Sequence, residues 1–340
     1  MEYKDIAFFE VKEEFEHSII SKAFTGCKIY SETLQEIIDN KGEDEVKNFK
    51  IISVFIYSKV NEEYLTKCRN TKFIVTRSMG KNHIDIDYCE KNNIQVSNVS
   101  KYGENTVAEF TFALLLTISR KIIKSVERVK RGDFDFTNLQ GFDLQGKTIG
   151  LVGFGNIGQK FAQMCRGFEM NIIAYDAFAN KLQDKADELN VTFVSLDEIY
   201  TNSDIISLHV PLLPLTQYII NKESISKMKE GVIILNTSRG ELMDTQAVLN
   251  GLNSKKIGFV GLDVIEGECM MREEEEFVNQ SDNKDILKSL ESMQTLIKDH
   301  LLINHKNAYI TPHNAFNTKD AIMKILDSTI EQIEAFNENL

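Results

Sequence analysis

Residues 147–176 read KTIGLVGFGNIGQKFAQMCRGFEMNIIAYD, and this stretch decides the fold. The apolar run KTIGLV has the character of a strand, and QKFAQMCRGF that of a helix. Between them stands Gly153-Phe-Gly155-Asn-Ile-Gly158. In that context Gly153 permits a tight turn, Gly155 lets backbone approach a pyrophosphate, and Gly158 lets helix and strand pack closely. The amides of Asn156 and Ile157, at the helix start, would meet the anion. A second apolar run, NIIAYD, ends in Asp176, eighteen residues beyond Gly158. A carboxylate at that spacing accepts hydrogen bonds from the adenosine ribose and repels a 2′-phosphate, which implies NAD rather than NADP.

The rhythm continues outward. VTFV, DIISLHV, GVIILNTS, GFVGLDV and AYITPH follow at helix-length intervals, giving seven strand candidates and predicting a doubly wound parallel sheet. Ser195-Leu-Asp-Glu198 has the spacing of a capping box, expected where a strand hands over to a helix. Toward the N-terminus, IAFFEV, FKIISVFIYS, TKFIVTRS and IQVSNVS alternate with polar segments of helical character, 61–70 and 84–93 among them, which reads as another α/β domain. Glu104 to Arg131 contains neither Pro nor Gly and turns basic near its end, so it is expected to be one long helix bridging the domains. Thr318 to Leu340 reads as an amphipathic helix folding back on the first domain. Between Glu268 and Tyr309 the chain is too long for an ordinary connection; its run Glu273–Glu276 reads as the solvated face of an excursion with its own helix.

Composition limits the function classes. With 340 residues, 42% hydrophobic and 26% charged, the chain is neither a small module nor largely disordered. A net charge of −12 repels nucleic acid and anionic lipid. The start, MEYKDIAFFEVKEEF, lacks a basic segment followed by an apolar one, and FALLLTIS is far short of a membrane span, so a cytoplasmic location is expected. Five scattered cysteines without a C-x-x-C pair read as reduced thiols. His17, His83, His209, His300 and His305 read as structural or surface groups, and no metal is expected.

Arg239 follows GVIILNTS, Glu268 follows GFVGLDV and His313 follows AYIT, each at or just after a strand end. Ligands of open α/β sheets gather beyond the carboxyl ends of strands, so the three can converge on one site. Their chemistry suits hydride transfer between a nicotinamide and C2 of a 2-hydroxy acid. Histidine exchanges a proton with the C2 oxygen, a neighbouring glutamate favours the protonated imidazole, and a guanidinium orients carboxylate and carbonyl together. Taken singly, Arg239 also fits a turn or a surface ion pair, Glu268 the acidic excursion, and His313 a helix start.

Several ordered motifs add to this: R-S-M-G-K-N-H-I-D at 77–85, GFGNIG, H-V-P at 209–211, N-T-S-R-G-E at 236–241, G-L-D-V-I-E-G-E at 261–268 and T-P-H-N-A-F at 311–316. Over nearly its whole length the sequence resembles the NAD-dependent D-isomer-specific 2-hydroxyacid dehydrogenases, nearest the D-lactate dehydrogenase branch. The resemblance implies two Rossmann-like α/β domains with parallel sheets, the larger a doubly wound dinucleotide-binding fold. Residues 1–103 with 316–340 would form a discontinuous substrate domain and 104–315 the NAD-binding domain. It selects Arg239, Glu268 and His313 as catalytic, and adds cofactor contacts from Val210, Pro211, Thr216, Thr237, Ser238 and Asp263. In the substrate domain Met79 and Gly80 would offer backbone amides to the substrate carboxylate. Tyr102 matches the tyrosine of the branch, whose phenol can bond the same carboxylate, though packing against the bridging helix explains it equally. Two departures bear on the pocket: Gly103-Glu104 stands where the branch has Ser-Pro, and Asn314 where Thr or Ile is frequent.

The function expected is reduction of a small 2-keto acid such as pyruvate by NADH, or the reverse, by a homodimer whose interface uses the apolar surplus of 104–131. Three alternatives remain. A phosphoglycerate dehydrogenase would need extra cations, for which Arg77 and Lys81 are candidates; a formate dehydrogenase normally has Gln at the position of Glu268; a non-catalytic NAD sensor would not need the intact Arg, Glu and His.

Overall fold

The computed structural model of the chain describes residues 3–100, 102–268 and 286–338; Cys269 and the acidic run Glu273–Glu276 lie outside them. Contacts gather the chain into two units, Met1–Gly103 with Asn317–Leu340, and Glu104–Phe316. Phe316 groups with the larger unit, one residue past the boundary expected from sequence.

In the smaller unit the strands β1 (Ile6–Phe8), β2 (Lys28–Ile29), β3 (Ile51–Val54), β4 (Phe73–Thr76) and β5 (Gln95–Asn98) pair in parallel in the order β2-β1-β3-β4-β5. Four of them are the quoted runs. The two-residue β2, with Lys28 exposed, carries no apolar run and was not expected. Side chains alternate between two faces. Ile6, Phe8, Phe73 and Val75 share one cluster, while Ala7, Ile52 and Ile74 share the other. The terminal helix Lys319–Glu338 covers the first face with Ile322, Leu326 and Ile333, and Phe336 stacks on Phe73 with ring centroids 4.6 Å apart.

The larger unit holds β6 (Thr148–Val152), β7 (Asn171–Tyr175), β8 (Val191–Phe193), β9 (Ile205–Leu208), β10 (Val232–Asn236), β11 (Ile257–Leu262) and β12 (Ala308–Ile310), parallel, in the order β12-β11-β10-β9-β6-β7-β8. All seven candidates are strands. The chain enters mid-sheet at β6, runs out to β8, then returns to β9 on the other side of β6. Loops leaving β6 and β9 therefore diverge, and a crevice opens at their carboxyl ends. Ile149 and Leu151 pack on one face with Phe112 and Leu115 of the helix Glu104–Arg120 and Phe161 of the helix Asn156–Gly167. Val152, Ile206 and Ile234 pack on the other with Val248 and Leu252 of the helix Thr245–Asn253.

The single helix expected over 104–131 is two helices, Glu104–Arg120 and Ile122–Lys130, separated by Lys121 at φ +52°. The cause lies downstream. Phe142 N–H donates to the Ser119 carbonyl at 3.0 Å, and Gly141 approaches so closely that a Cβ on it would stand 2.2 Å from that oxygen. The returning chain takes the acceptor at which the helix would have continued.

Candidate active site

The glycine turn after β6 has the geometry its residues demand. Gly153 sits at φ +99°, and a Cβ there would be 2.5 Å from the His209 carbonyl oxygen at the end of β9. A Cβ on Gly158 would be 2.5 Å from the Gly153 carbonyl, so helix and turn touch backbone to backbone. Gly155 faces open space: apart from its chain neighbours, no described residue comes within 4 Å of its Cβ position. It also N-caps the helix Asn156–Gly167 without a side-chain cap, leaving the amides of the first turn for an anion. Asp176, at the end of β7, accepts from the amides of Phe154 and Phe178, each at 2.8 Å. Its carboxylate is thereby fixed beside the glycine turn with acceptor capacity left for ribose hydroxyls. These features fit a dinucleotide.

Loops from β9 and β10 flank this turn. Val210 is half-buried and Pro211 exposed. Thr216 donates to the Pro211 carbonyl at 2.6 Å and accepts from the Leu213 amide at 2.8 Å, closing the loop on itself. Thr237 shares a 2.8 Å hydroxyl bond with buried Thr111, and Ser238 donates to the Leu208 carbonyl at 2.8 Å. The buried Asn236 amide folds the turn: Oδ1 accepts from Ser238 N–H at 2.9 Å, and Nδ2 donates to the Arg239 carbonyl at 2.8 Å.

Arg239, Glu268 and His313 follow three neighbouring strands, β10, β11 and β12. Arg239 is half-buried; Nη1 donates to the Ser238 carbonyl at 2.6 Å, and no carboxylate among the described residues pairs with it. His313 Nδ1 lies 3.1 and 3.0 Å from the two oxygens of Glu268, both side chains being 24% exposed. That bond leaves Nε2 as the ring atom for a reacting group. His313 stands at φ +52°, an uncommon conformation for a residue with a Cβ. Buried Asp263 enforces it, accepting from Thr311 Oγ1 at 2.5 Å, Asn314 N–H at 3.0 Å and Ala315 N–H at 2.7 Å. Burial raises the Asp263 carboxyl from its usual range, while these donors and the His313 charge lower it. Asp263 thus shapes the histidine loop.

Gly240 was quoted in its motif without a role, and its role is a contact. A Cβ on it would meet the Ile265 carbonyl at 2.1 Å and the Glu266 nitrogen at 2.4 Å, so the arginine loop lies directly on the turn leading to Glu268. Asn236 and Gly240 lie within N-T-S-R-G-E, whose residues gave no sign of these contacts, and Thr111 belongs to no motif.

In the smaller unit, the Met79 carbonyl accepts from Asn98 Nδ2 and the Gly80 carbonyl from Ser78 Oγ, both at 2.7 Å. The amides of Met79 and Gly80 make no hydrogen bond among the described residues. Tyr102 is buried. Arg77 is buried too, donating to Ser53 Oγ at 3.0 Å and to the carbonyls of Phe9 at 2.6 Å and Glu10 at 3.2 Å. Its charge is spent holding strand ends together, which removes it as a partner for a substrate phosphate.

A doubly wound sheet with an anion-binding glycine turn, and a His-Glu pair at neighbouring strand ends, defines a NAD-dependent dehydrogenase. The NAD binding domain of the D-isomer specific 2-hydroxyacid dehydrogenases matches residues 112–315, and the chain belongs to that family. It is 37% identical over 316 residues to an aromatic 2-oxoacid reductase of Clostridium sporogenes, covering 90% of this chain and 89% of that one. It is 34% identical over 305 residues to a putative D-lactate dehydrogenase of Dictyostelium discoideum, covering 88% and 85%. The solved D-lactate dehydrogenase of Aquifex aeolicus, complexed with NAD and lactic acid, superposes with a TM-score of 0.83 at 33% identity, covering 98% of this chain and 96% of that one.

Proposed function

We propose that this NAD-dependent D-2-hydroxyacid dehydrogenase reduces a small, phosphate-free 2-keto acid such as pyruvate, with Arg239, Glu268 and His313 as its catalytic residues. The observation that carries the assignment is the two-oxygen contact of Glu268 with His313 Nδ1, beside an arginine whose guanidinium has no carboxylate partner among the described residues. When bound, NADH supplies the hydride to C2. His313 Nε2 donates its proton to the C2 oxygen as the carbonyl becomes a hydroxyl, and leaves as neutral imidazole. Glu268 accepts a hydrogen bond from Nδ1–H throughout, and Nδ1 keeps its proton, which fixes the ring so that Nε2 faces the substrate. Arg239 engages carboxylate and carbonyl oxygens and so selects the face presented to the hydride.

Gly153, Gly155, Asn156, Ile157, Gly158 and Asp176 would hold the pyrophosphate and ribose, with Val210, Pro211, Thr216, Thr237, Ser238 and Asp263 lining the rest of the cofactor site. The amides of Met79 and Gly80, without an acceptor among the described residues, suit a carboxylate. The internal use of Arg77 favours pyruvate-like substrates over a phosphorylated one. Ile122, Ile123, Val126 and Val129 stand 45 to 48% exposed on one short helix, near the nearly bare Phe134 and Phe136, and such a face suits a two-fold contact between copies. The reading is therefore a homodimer, acting in the cytoplasm with its described cysteines as free thiols.

The test is a panel of 2-keto acids with NADH and NADPH. Turnover of pyruvate or a slightly larger keto acid with NADH, lost in His313→Ala and Arg239→Ala, is the expected result; tight NADH binding without turnover of any keto acid overturns it.

A further inference from the structure

Glu104 opens the helix Glu104–Arg120, and its Oε1 accepts a hydrogen bond from Asn156 Nδ2 at 2.5 Å. Asn156 is the first residue of the helix whose amides would meet the pyrophosphate, and the glycine before it would bring no side chain to the anion. A carboxylate is thus held at the positive end of a helix dipole that the cofactor's phosphates would use. Among the described residues no cation pairs with Glu104 to offset its charge.

We propose that Glu104 is a brake on cofactor affinity: its carboxylate, latched to Asn156, weakens the binding of NAD and NADH and so speeds their exchange. Two effects act in the same direction. The carboxylate repels the doubly charged pyrophosphate, and the latch occupies an Asn156 N–H that would otherwise be offered to a phosphate oxygen. Removing the charge at a half-exposed position is worth about five- to tenfold in affinity at low salt, and less as ions screen it. Release of the dinucleotide limits turnover in many enzymes, so weaker binding at this point favours throughput.

The experiment titrates the full chain with NADH, followed by NADH fluorescence without any keto acid, so that it stands apart from the choice of substrate. Wild type, Glu104→Gln and Glu104→Ala are compared at about 50 mM and about 300 mM salt, with dissociation rates from displacement by excess NAD. Both variants are expected to bind about five- to tenfold more tightly at low salt, to release NADH more slowly, and to approach wild type at high salt. Equal or weaker binding in both variants at low salt, or a gain that salt leaves unchanged, overturns the proposal.

Discussion

Gly240 and Ile265 meet backbone to backbone, with a Cβ on Gly240 placed 2.1 Å from both the carbonyl carbon and the oxygen of Ile265. No flexible side chain can swing aside, so Gly240→Ala must part the loop of Arg239 from the turn leading to Glu268. The variant is expected to lose about 2–4 kcal/mol of unfolding free energy in urea. It should lose kcat by a larger factor than NADH affinity. An unchanged kcat in a folded Gly240→Ala protein would show that this closeness does not set the chemistry.

The pairing of Glu268 with His313 predicts graded losses. His313→Ala removes the proton donor and should lower kcat by about a thousandfold with NADH affinity intact. Glu268→Gln keeps an acceptor for Nδ1–H and removes only the charge, so its loss should be about ten- to a hundredfold. Steady-state rates beside fluorescence titrations with NADH separate the two effects. Full activity in either variant would remove that residue from the mechanism.

Arg239 should act on the keto acid and leave NADH alone. Arg239→Lys keeps the charge but loses the planar fork that grips two oxygens, and kcat/KM for the keto acid should fall about a hundredfold. A change confined to the KM for NADH would instead assign Arg239 to the cofactor.

What the sequence made legible follows from how local each cause is. The central strands β6, β9 and β10 of the larger unit announce themselves because parallel strands buried on both faces are continuous apolar runs. The glycine turn and Asp176 were legible because strand, turn and helix follow one another along the chain. Lys28–Ile29 was not, because two residues pairing with β1 leave no pattern. The break at Lys121 was not either, since its cause is Phe142, twenty-one residues later. Arg239, Glu268 and His313 could be chosen by chemistry and position after strands. The contact that gives Gly240 its role exists only once β10 and β11 lie side by side. Arg77 shows the converse: sequence leaves it open between a phosphate partner and a turn residue, and in the fold its donors are consumed inside the sheet.

A buried carboxyl on the helix Ile286–Ile303 gives the chain a pH-dependent stability. Both oxygens of Asp299 are buried without a hydrogen-bond partner among the described residues, on a helix that packs against Thr245–Asn253. Burial pushes its carboxyl up to about 7; the nearby charge of Glu266 adds to this and that of Lys298 opposes it. Because the folded value lies above the unfolded one, the folded state holds the extra proton between about pH 4 and pH 7. Stability contributed by this group is present in full below about pH 4 and falls by about 1.4 kcal/mol per pH unit until about pH 7, then stays level. Asp299→Asn cannot ionise and removes that slope. Urea unfolding at pH 5 and pH 8 should therefore show wild type losing about 2–3 kcal/mol relative to Asp299→Asn over that interval. Parallel losses in the two proteins would mean that Asp299 ionises in the folded chain as readily as in the unfolded one, and that water reaches it.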